Sequence, residues 1–310
     1  MEAVTGKTIG EALSELVFEP LRLDRACSST AVATSWRFAQ PHTEANGQTA
    51  VIRPFSLPAS VAAGGCAMSV ENLLVYARFH LAGTGVTADG AEQLLSSSSL
   101  LSMREARIRK NSSEDKMGLG WHLRELGAAK VLTAQHGGSL AGHCLHIQLV
   151  PERNLCFCIL TNHSDGWRLN EELGSFILKE VEGLSLAPGQ RTGGNRGGNE
   201  RMSEHSKPLE VQPDLNEYVG TYARPPVGEF VITQEQVGGD QAGLVVAASS
   251  RPGSWGMEHG FKLAFYAEDC AYSTGPGAYV GTPVEFIRDE DGVVMWVRVN
   301  GRIARKRHTR

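Results

Sequence analysis

Between residues 183 and 208 the chain reads GLSLAPGQRTGGNRGGNERMSEHSKP, where Gly, Arg, Asn, Ser and Pro replace any apolar periodicity. Such a segment buries too little apolar surface to offset the entropy of ordering it, so it separates cores rather than joining one. The 310 residues also exceed the ~150 that one compact core usually organises. Two units of unequal size follow: residues 1–182, a flexible linker over 183–211, and residues 212–310.

The two sides of the break carry different periods. Before it, helical spacing of apolar residues runs over 9–18, over 70–81 behind Ser69 as a cap, and over 169–181, with strand-like runs between. After it come the short alternating runs EFVITQ, GLVVAAS, KLAFYA, VEFIRD and VVMWVRV, separated by turn residues, with DEDG at 289–292 a tight hairpin signal. The expected class is α+β, an antiparallel sheet with helices followed by an all-β unit. The basic end RIARKRHTR is expected to finish an edge strand in solvent.

Composition excludes several function classes. Lys and Arg number 30 against 34 Asp and Glu, a net charge of −4 that offers no nucleic-acid partner. No run of ~18 apolar residues could cross a bilayer, and the opening MEAVTGKTIGEALSEL lacks the basic start and apolar centre of an export signal. A cytoplasmic chain without a membrane partner is expected. Cys27, Cys66, Cys144, Cys156, Cys158 and Cys270 show no metal spacing and read as reduced core residues. His143 and His146 stand three apart on a strand and so point to opposite faces, which keeps them from sharing an ion. Neither a metal nor a cofactor is expected. Trp121, Trp167, Trp255 and Trp296 read as packing residues.

The chemistry concentrates in HGGSLAGHCLHIQLVPERNLCFCILTN, residues 136–162. Residues 143–150 and 155–161 form a hairpin turned by Pro151-Glu152-Arg153-Asn154, and the strand before them begins at Val131. Gly137 and Gly138 weaken that first strand, which is tolerated mainly where a ligand or another backbone comes close. On an accessible edge the Ser139 main-chain N–H, beside the His136 imidazole, could bind a carbonyl oxygen that becomes negative during acyl transfer. A glycine bulge next to a core histidine is the other reading of the same four residues.

Several separated stretches, in order, resemble the serine β-lactamase and penicillin-binding-protein family in its esterase and D-aminopeptidase branch. TGKTIGEALSELVFEPLRL (5–23) resembles the family's helix and Pro-Leu-Gly-Met turn, with Arg22 where Gly is usual. AAGGCAMSVENLLVYARFHLAGTG (62–85) resembles its Gly-Gly loop and the capped helix that follows. GLGWHL (118–123), residues 135–162 and LNEYVGTY (215–222) complete the match, the last opening the lipocalin-like barrel that some members carry. The resemblance implies an incomplete β-lactamase/transpeptidase-like sheet with helices, followed by a small lipocalin-like barrel. His136-Gly137-Gly138 matches the family's Lys/His-Thr/Ser/Gly-Gly motif. Gly137 and Gly138 would then leave room for a small-molecule or short-peptide substrate, Ser139 N–H would be an oxyanion donor, and His136 would orient substrate. An imidazole, with an unperturbed pKa of ~6.5, carries less charge at pH 7 than the Lys of β-lactamases. Esters, amides and D-amino-acid peptides are therefore favoured over penicillin.

The family's nucleophile lies in Ser-x-x-Lys at a helix start, with a Tyr/Ser-x-Asn element after it, both ahead of the segments matched here. The expectation is that the chain begins within the fold and lacks the nucleophile. Ser113-Glu114-Asp115-Lys116 has the spacing but lies in the charged loop REARIRKNSSEDKMG, where two acids would raise the Lys pKa rather than lower it. Tyr218, Tyr222 and Tyr272 stand in the β unit without a Tyr-x-Asn setting. Two classes of function remain: part of a serine hydrolase, or an acyltransferase of the same family, completed by a missing half; and a non-catalytic binding module or decayed enzyme.

Overall fold

A computed structural model describes residues 1–45, 47–54, 61–87, 90, 93–109, 116–140, 142–186, 208–224, 228–236, 242–250, 260–274, 281–299 and 302–307. They form two compact units, the first of mixed helix and sheet and the second a β-barrel. Trp255 and most of the expected linker lie outside the described residues, as do Ser113, Glu114 and Asp115.

Helices of the first unit are α1 (Glu2–Thr5), α2 (Ile9–Leu13), α3 (Thr30–Ser35), α4 (Val61–Gly64), α5 (Val70–Ala82), α6 (Ser97–Met103) and α7 (Gly166–Phe176). α2 starts at a capping box: the Glu11 N–H donates to Thr8 Oγ1, and the Glu11 carboxylate accepts from the Thr8 N–H. It continues as a π-helical turn over Ser14–Phe18, so the apolar run from 9 to 18 forms one continuous coil. Ser69 caps α5, accepting from the Asn72 N–H at 3.2 Å, and Gly83 ends it in the left-handed region at φ 66°. Ser69→Ala is expected to lower stability by about 1 kcal/mol, measurable by urea denaturation.

Four short strands, β1 (Ala26–Cys27), β2 (His42–Ala45), β3 (Gln48–Val51) and β4 (Ala67–Met68), form two antiparallel pairs, β1 with β4 and β2 with β3. The main sheet holds β5 (Ile108–Arg109), β6 (Lys116–Met117), β7 (His122–Leu126), β8 (Val131–Leu140), β9 (His143–Val150) and β10 (Leu155–Thr161) in the order β10-β9-β8-β7-β6-β5. The β9–β10 turn is one 3₁₀ turn, Pro151–Arg153, closed by Asn154 at φ 49°.

One sheet face packs on α5, where Leu73 and Ala77 meet Trp121, Leu123, Ala134, Ile147 and Leu149. The other carries Leu126, Val131 and Val150 against Leu178 and Leu184 beyond α7. Cysteine placement is mixed: all six are free, but only Cys144 is buried, and Cys66 is exposed. The expectation of a core residue fails at Cys66 because it lies in a Gly-Gly-Cys loop between α4 and β4, not on an element with an inner face.

The second unit is a closed antiparallel barrel of β11 (Gly220–Arg224), β12 (Gly228–Gln236), β13 (Ala242–Ser250), β14 (Phe261–Ala267), β15 (Cys270–Thr274), β16 (Pro283–Arg288), β17 (Val294–Val299) and β18 (Arg302–Lys306). Eight strands enclose a space that side chains can fill. Here Tyr218, Tyr222, Phe230, Phe265 and Phe286 fill it together with aliphatic residues. The Tyr222 hydroxyl donates to the Tyr218 carbonyl at 2.8 Å, and Arg288 holds Asp269 and Glu217. β18 is not the edge strand that its basic residues suggest: it pairs with β17 on one side and with β11, Tyr222 opposite Lys306, on the other. Closure is a pairing between the two ends of the unit, which local charge does not report. No helix among the described residues is long and apolar enough to cross a membrane.

Candidate active site

β8 has ten residues and β7 only five, and this difference sets the candidate segment apart. From Val131 to Gln135, β8 pairs with β7 on one side, and from Ala134 to Leu140 it pairs with β9 on the other. Beyond Gln135, residues 136–140 have one partner strand, and the opposite backbone edge has no partner strand among the described residues. The His136-Gly137-Gly138-Ser139 segment occupies that edge. His136 and Gly138 are exposed, while Gly137 and Ser139 are half-buried.

Strand alternation then sorts the side chains. His136, opposite Ile147, and Gly138, opposite Leu145, share the face that packs on α5. Gly137 and Ser139 face the other way, opposite His146 and Cys144. The Ser139 hydroxyl lies 3.5 Å from Cys144 Sγ, on the face of β8 opposite to the one from which the His136 side chain leaves the strand. A Cβ on Gly138 would stand 3.2 Å from the Leu145 side chain, tighter than ordinary packing. The glycine keeps the face flat beside His136.

Flanking groups bound this edge. The His122 ring lies 5.5 Å from that of His136. Gly64 of α4, in the Gly-Gly loop, faces Leu140, and a Cβ there would sit 3.8 Å from Leu140 Cδ2. His143 meets Phe38 edge-on at 5.4 Å, and its Nε2 lies 2.9 Å from the Ala39 carbonyl. The β8–β9 turn passes so close to β2 that a Cβ on Gly142 would stand 2.6 Å from the His42 carbonyl. His42 is held in turn by its N–H to the Asn162 carbonyl at 2.9 Å.

Beneath the segment lies a feature that strand alternation alone misreads. His146 and Gln148 alternate with apolar residues on β9, the pattern of a solvated face, yet both are 1 % exposed. Arg124, Thr133 and Gln135 share that face and are buried, as are Asn170 and Glu171 of α7. The His146 Nε2 lies 3.3 Å from Gln148 Oε1, which accepts if that nitrogen carries the proton. Burial pulls its pKa down to about 4, with the nearby His136 adding to the effect. His80, at the end of α5 among Tyr76, Phe79 and Trp121, is likewise lowered to about 4, first by burial and then by Arg104. A register signal could have found His146, since it stands opposite a glycine.

Among the described residues no three His, Cys, Asp or Glu side chains converge to hold a metal. Lys116 of the Ser-x-x-Lys look-alike opens strand β6 rather than standing on a helix, so it lacks the helical setting of a nucleophile's amine partner. Tyr218 and Tyr222 are buried in the barrel core, with phenol pKa values pushed up by burial, Tyr218 to about 12, against any role as a base.

Residues 1–180 match the protein family described as Beta-lactamase. None of the curated proteins matches the chain. Among solved structures, the crystal structure of SurE superposes with a TM-score of 0.69 at 23% identity, covering 98% of this chain and 65% of SurE. SurE with D-Leu gives 0.68 at 22%, covering 98% and 64%. The octameric penicillin-binding protein homologue from Pyrococcus abyssi gives 0.50 at 17%, covering 98% and 61%. At these identities the fold is what is shared, and the chain spans less than two thirds of the length of each.

Proposed function

The chain belongs to the beta-lactamase family, whose members are serine hydrolases, and from that premise we propose that it forms the substrate-strand side of such an active site. The reaction is hydrolysis of an ester, an amide or a D-amino-acid peptide. A serine hydroxyl adds to the substrate carbonyl carbon and gives its proton to a base. The carbonyl oxygen becomes an oxyanion, the alcohol or amine leaves with a proton, and water then releases the acid from the acyl-enzyme. In this reading the Ser139 N–H holds the oxyanion. Substrate lies along Gly137 and Gly138, and His136 orients it.

The observation that carries the proposal is the edge of β8 at residues 136–140, which has no partner strand among the described residues, with His136 and Gly138 on one exposed face. Antiparallel strand edges bind extended substrates through main-chain bonds, and paired glycines let the substrate backbone approach. SurE has been crystallised with D-Leu, so D-amino-acid amides are the first substrates to try. The attacking serine and its base are assigned to polypeptide outside these 310 residues, because the sequence holds no other Ser-x-x-Lys besides the one at 113–116. A binding-module reading centred on the barrel has less support, since aromatic and aliphatic side chains occupy the barrel interior.

Incubating the chain by itself with a fluorophosphonate or penicillin probe is expected to leave every serine unlabelled by mass spectrometry. A covalent adduct on Ser113 would overturn the assignment of the nucleophile.

A further inference from the structure

Where α5 and α6 end, two buried side chains carry polar atoms without partners. Arg104 closes α6 and reaches over the end of α5: a Cβ on Gly83, the cap of α5, would stand 3.2 Å from Arg104 Nη2. Arg104 is 8% exposed, and its Nη1 is buried with no hydrogen-bond partner. His80, three residues before Gly83, is 3% exposed, and its Nδ1 is likewise buried and unpartnered. Tyr76, Phe79 and Trp121 stand edge-on around the His80 ring, with centroids 4.6, 5.6 and 5.3 Å away, so packing fixes the ring where it stands. The two groups are close enough for Arg104 to add to the lowering of the His80 pKa.

The guanidinium has no counter-charge. Glu105, next in the chain, is exposed, and its carboxylate lies 3.6 Å from Arg107. Among the described residues no carboxylate pairs with Arg104, and burial alone lowers its pKa, with no opposing charge to raise it. Arginine stays protonated inside a protein, and a buried charge without a partner is among the costliest features a fold can hold. The carbonyl end of α5 supplies roughly half a negative charge, which offsets only part of it.

We propose that this corner binds one small monovalent anion, a halide or a short carboxylate, which accepts hydrogen bonds from Arg104 Nη1 and from the Nδ1–H of neutral His80. A water molecule could take up both hydrogen bonds, but it would leave the charge unbalanced. An anion answers both needs. One guanidinium beside a neutral ring balances a single negative charge, so a dianion does not fit. Because His80 packs on Trp121, the residue before His122, the bound anion braces α5 against the start of β7 beside the candidate active site.

The test titrates the full chain at pH 7 with sodium chloride at constant ionic strength, sodium gluconate making up the difference, while thermal unfolding is followed by circular dichroism. The midpoint of the first unit is expected to rise to a plateau about 4 °C higher, as for any ligand that binds only the folded state. Sodium formate in place of chloride forms the carboxylate arm, and the anion that acts at the lower concentration is the occupant. Arg104→Leu is expected to abolish the rise for both anions and to melt no lower than the parent in gluconate, because it removes a buried charge together with the need for a partner. A crystal grown in bromide is expected to show an anomalous peak within hydrogen-bond distance of Arg104 Nη1. Any of four results would overturn the inference. These are no rise with either anion, an equal rise in the parent and in Arg104→Leu, an Arg104→Leu variant that melts well below the parent in gluconate, and a crystal with water alone at the site.

Discussion

With the serine supplied, Ser139→Pro is expected to slow acylation about 10²–10³-fold, while Ser139→Ala stays near the parent rate. The contrast isolates one atom. Proline removes the main-chain N–H that the proposed oxyanion would accept from, whereas alanine removes only a hydroxyl that sits on the far side of the sheet beside Cys144. The stated factor corresponds to about 3–4 kcal/mol of transition-state stabilisation. Single-turnover acylation of a D-amino-acid p-nitroanilide measures it. Position 139 lies in the part of β8 whose outer edge has no partner strand among the described residues, where proline is tolerated when the N–H faces outward. An unchanged rate for the proline variant removes Ser139 from the oxyanion role. So does a loss accompanied by a large fall in melting temperature, because the N–H then belongs to the β8–β9 ladder.

Acidification is expected to destabilise the first unit through two buried imidazoles. His80 and His146, 3% and 1% exposed, are both lowered to about 4, against the ordinary 6.5 of an unfolded chain. Between those values the unfolded chain binds the protons and the folded one does not, so the stabilisation is complete above pH 6.5 and is lost as pH falls through 4. Each histidine is expected to contribute a loss of about 3 kcal/mol by pH 4. Urea denaturation at pH 7, 5.5 and 4 checks this, with His80→Leu and His146→Leu each expected to flatten the profile by about that amount. Profiles that keep the parent slope would mean that carboxylates, not these rings, govern the acid response.

How much of the molecule could be read in advance differs from element to element. The β9–β10 hairpin is legible because its causes are local: apolar runs on either side of Pro151-Glu152-Arg153-Asn154, with Asn154 able to adopt a left-handed conformation. The same holds for α5 between Ser69 and Gly83 and for the turn at 289–292, where the Asp289 carboxylate accepts from the Asp291 and Val293 N–H groups. Burial of His146 and Gln148 is not legible, because β9 alternates as a half-solvated strand does until α7 is laid over it. Cys66 misleads in the opposite direction, a residue type common in cores placed here on an exposed loop.

By itself the chain's order of residues determined the elements, the two-unit division of period, and the placement of His136, Gly137, Gly138 and Ser139 on one strand, since caps, turns and alternation act over a few residues. Only the tertiary structure decided that this strand outruns β7 and so has an edge without a partner strand among the described residues, that β18 meets β11 and so is paired on both sides, and that α7 shows its apolar side outward. The reason is physical: pairing and burial are settled between segments far apart in the chain, through register and packing, and no local preference of a residue encodes which distant partner it will meet or fail to meet.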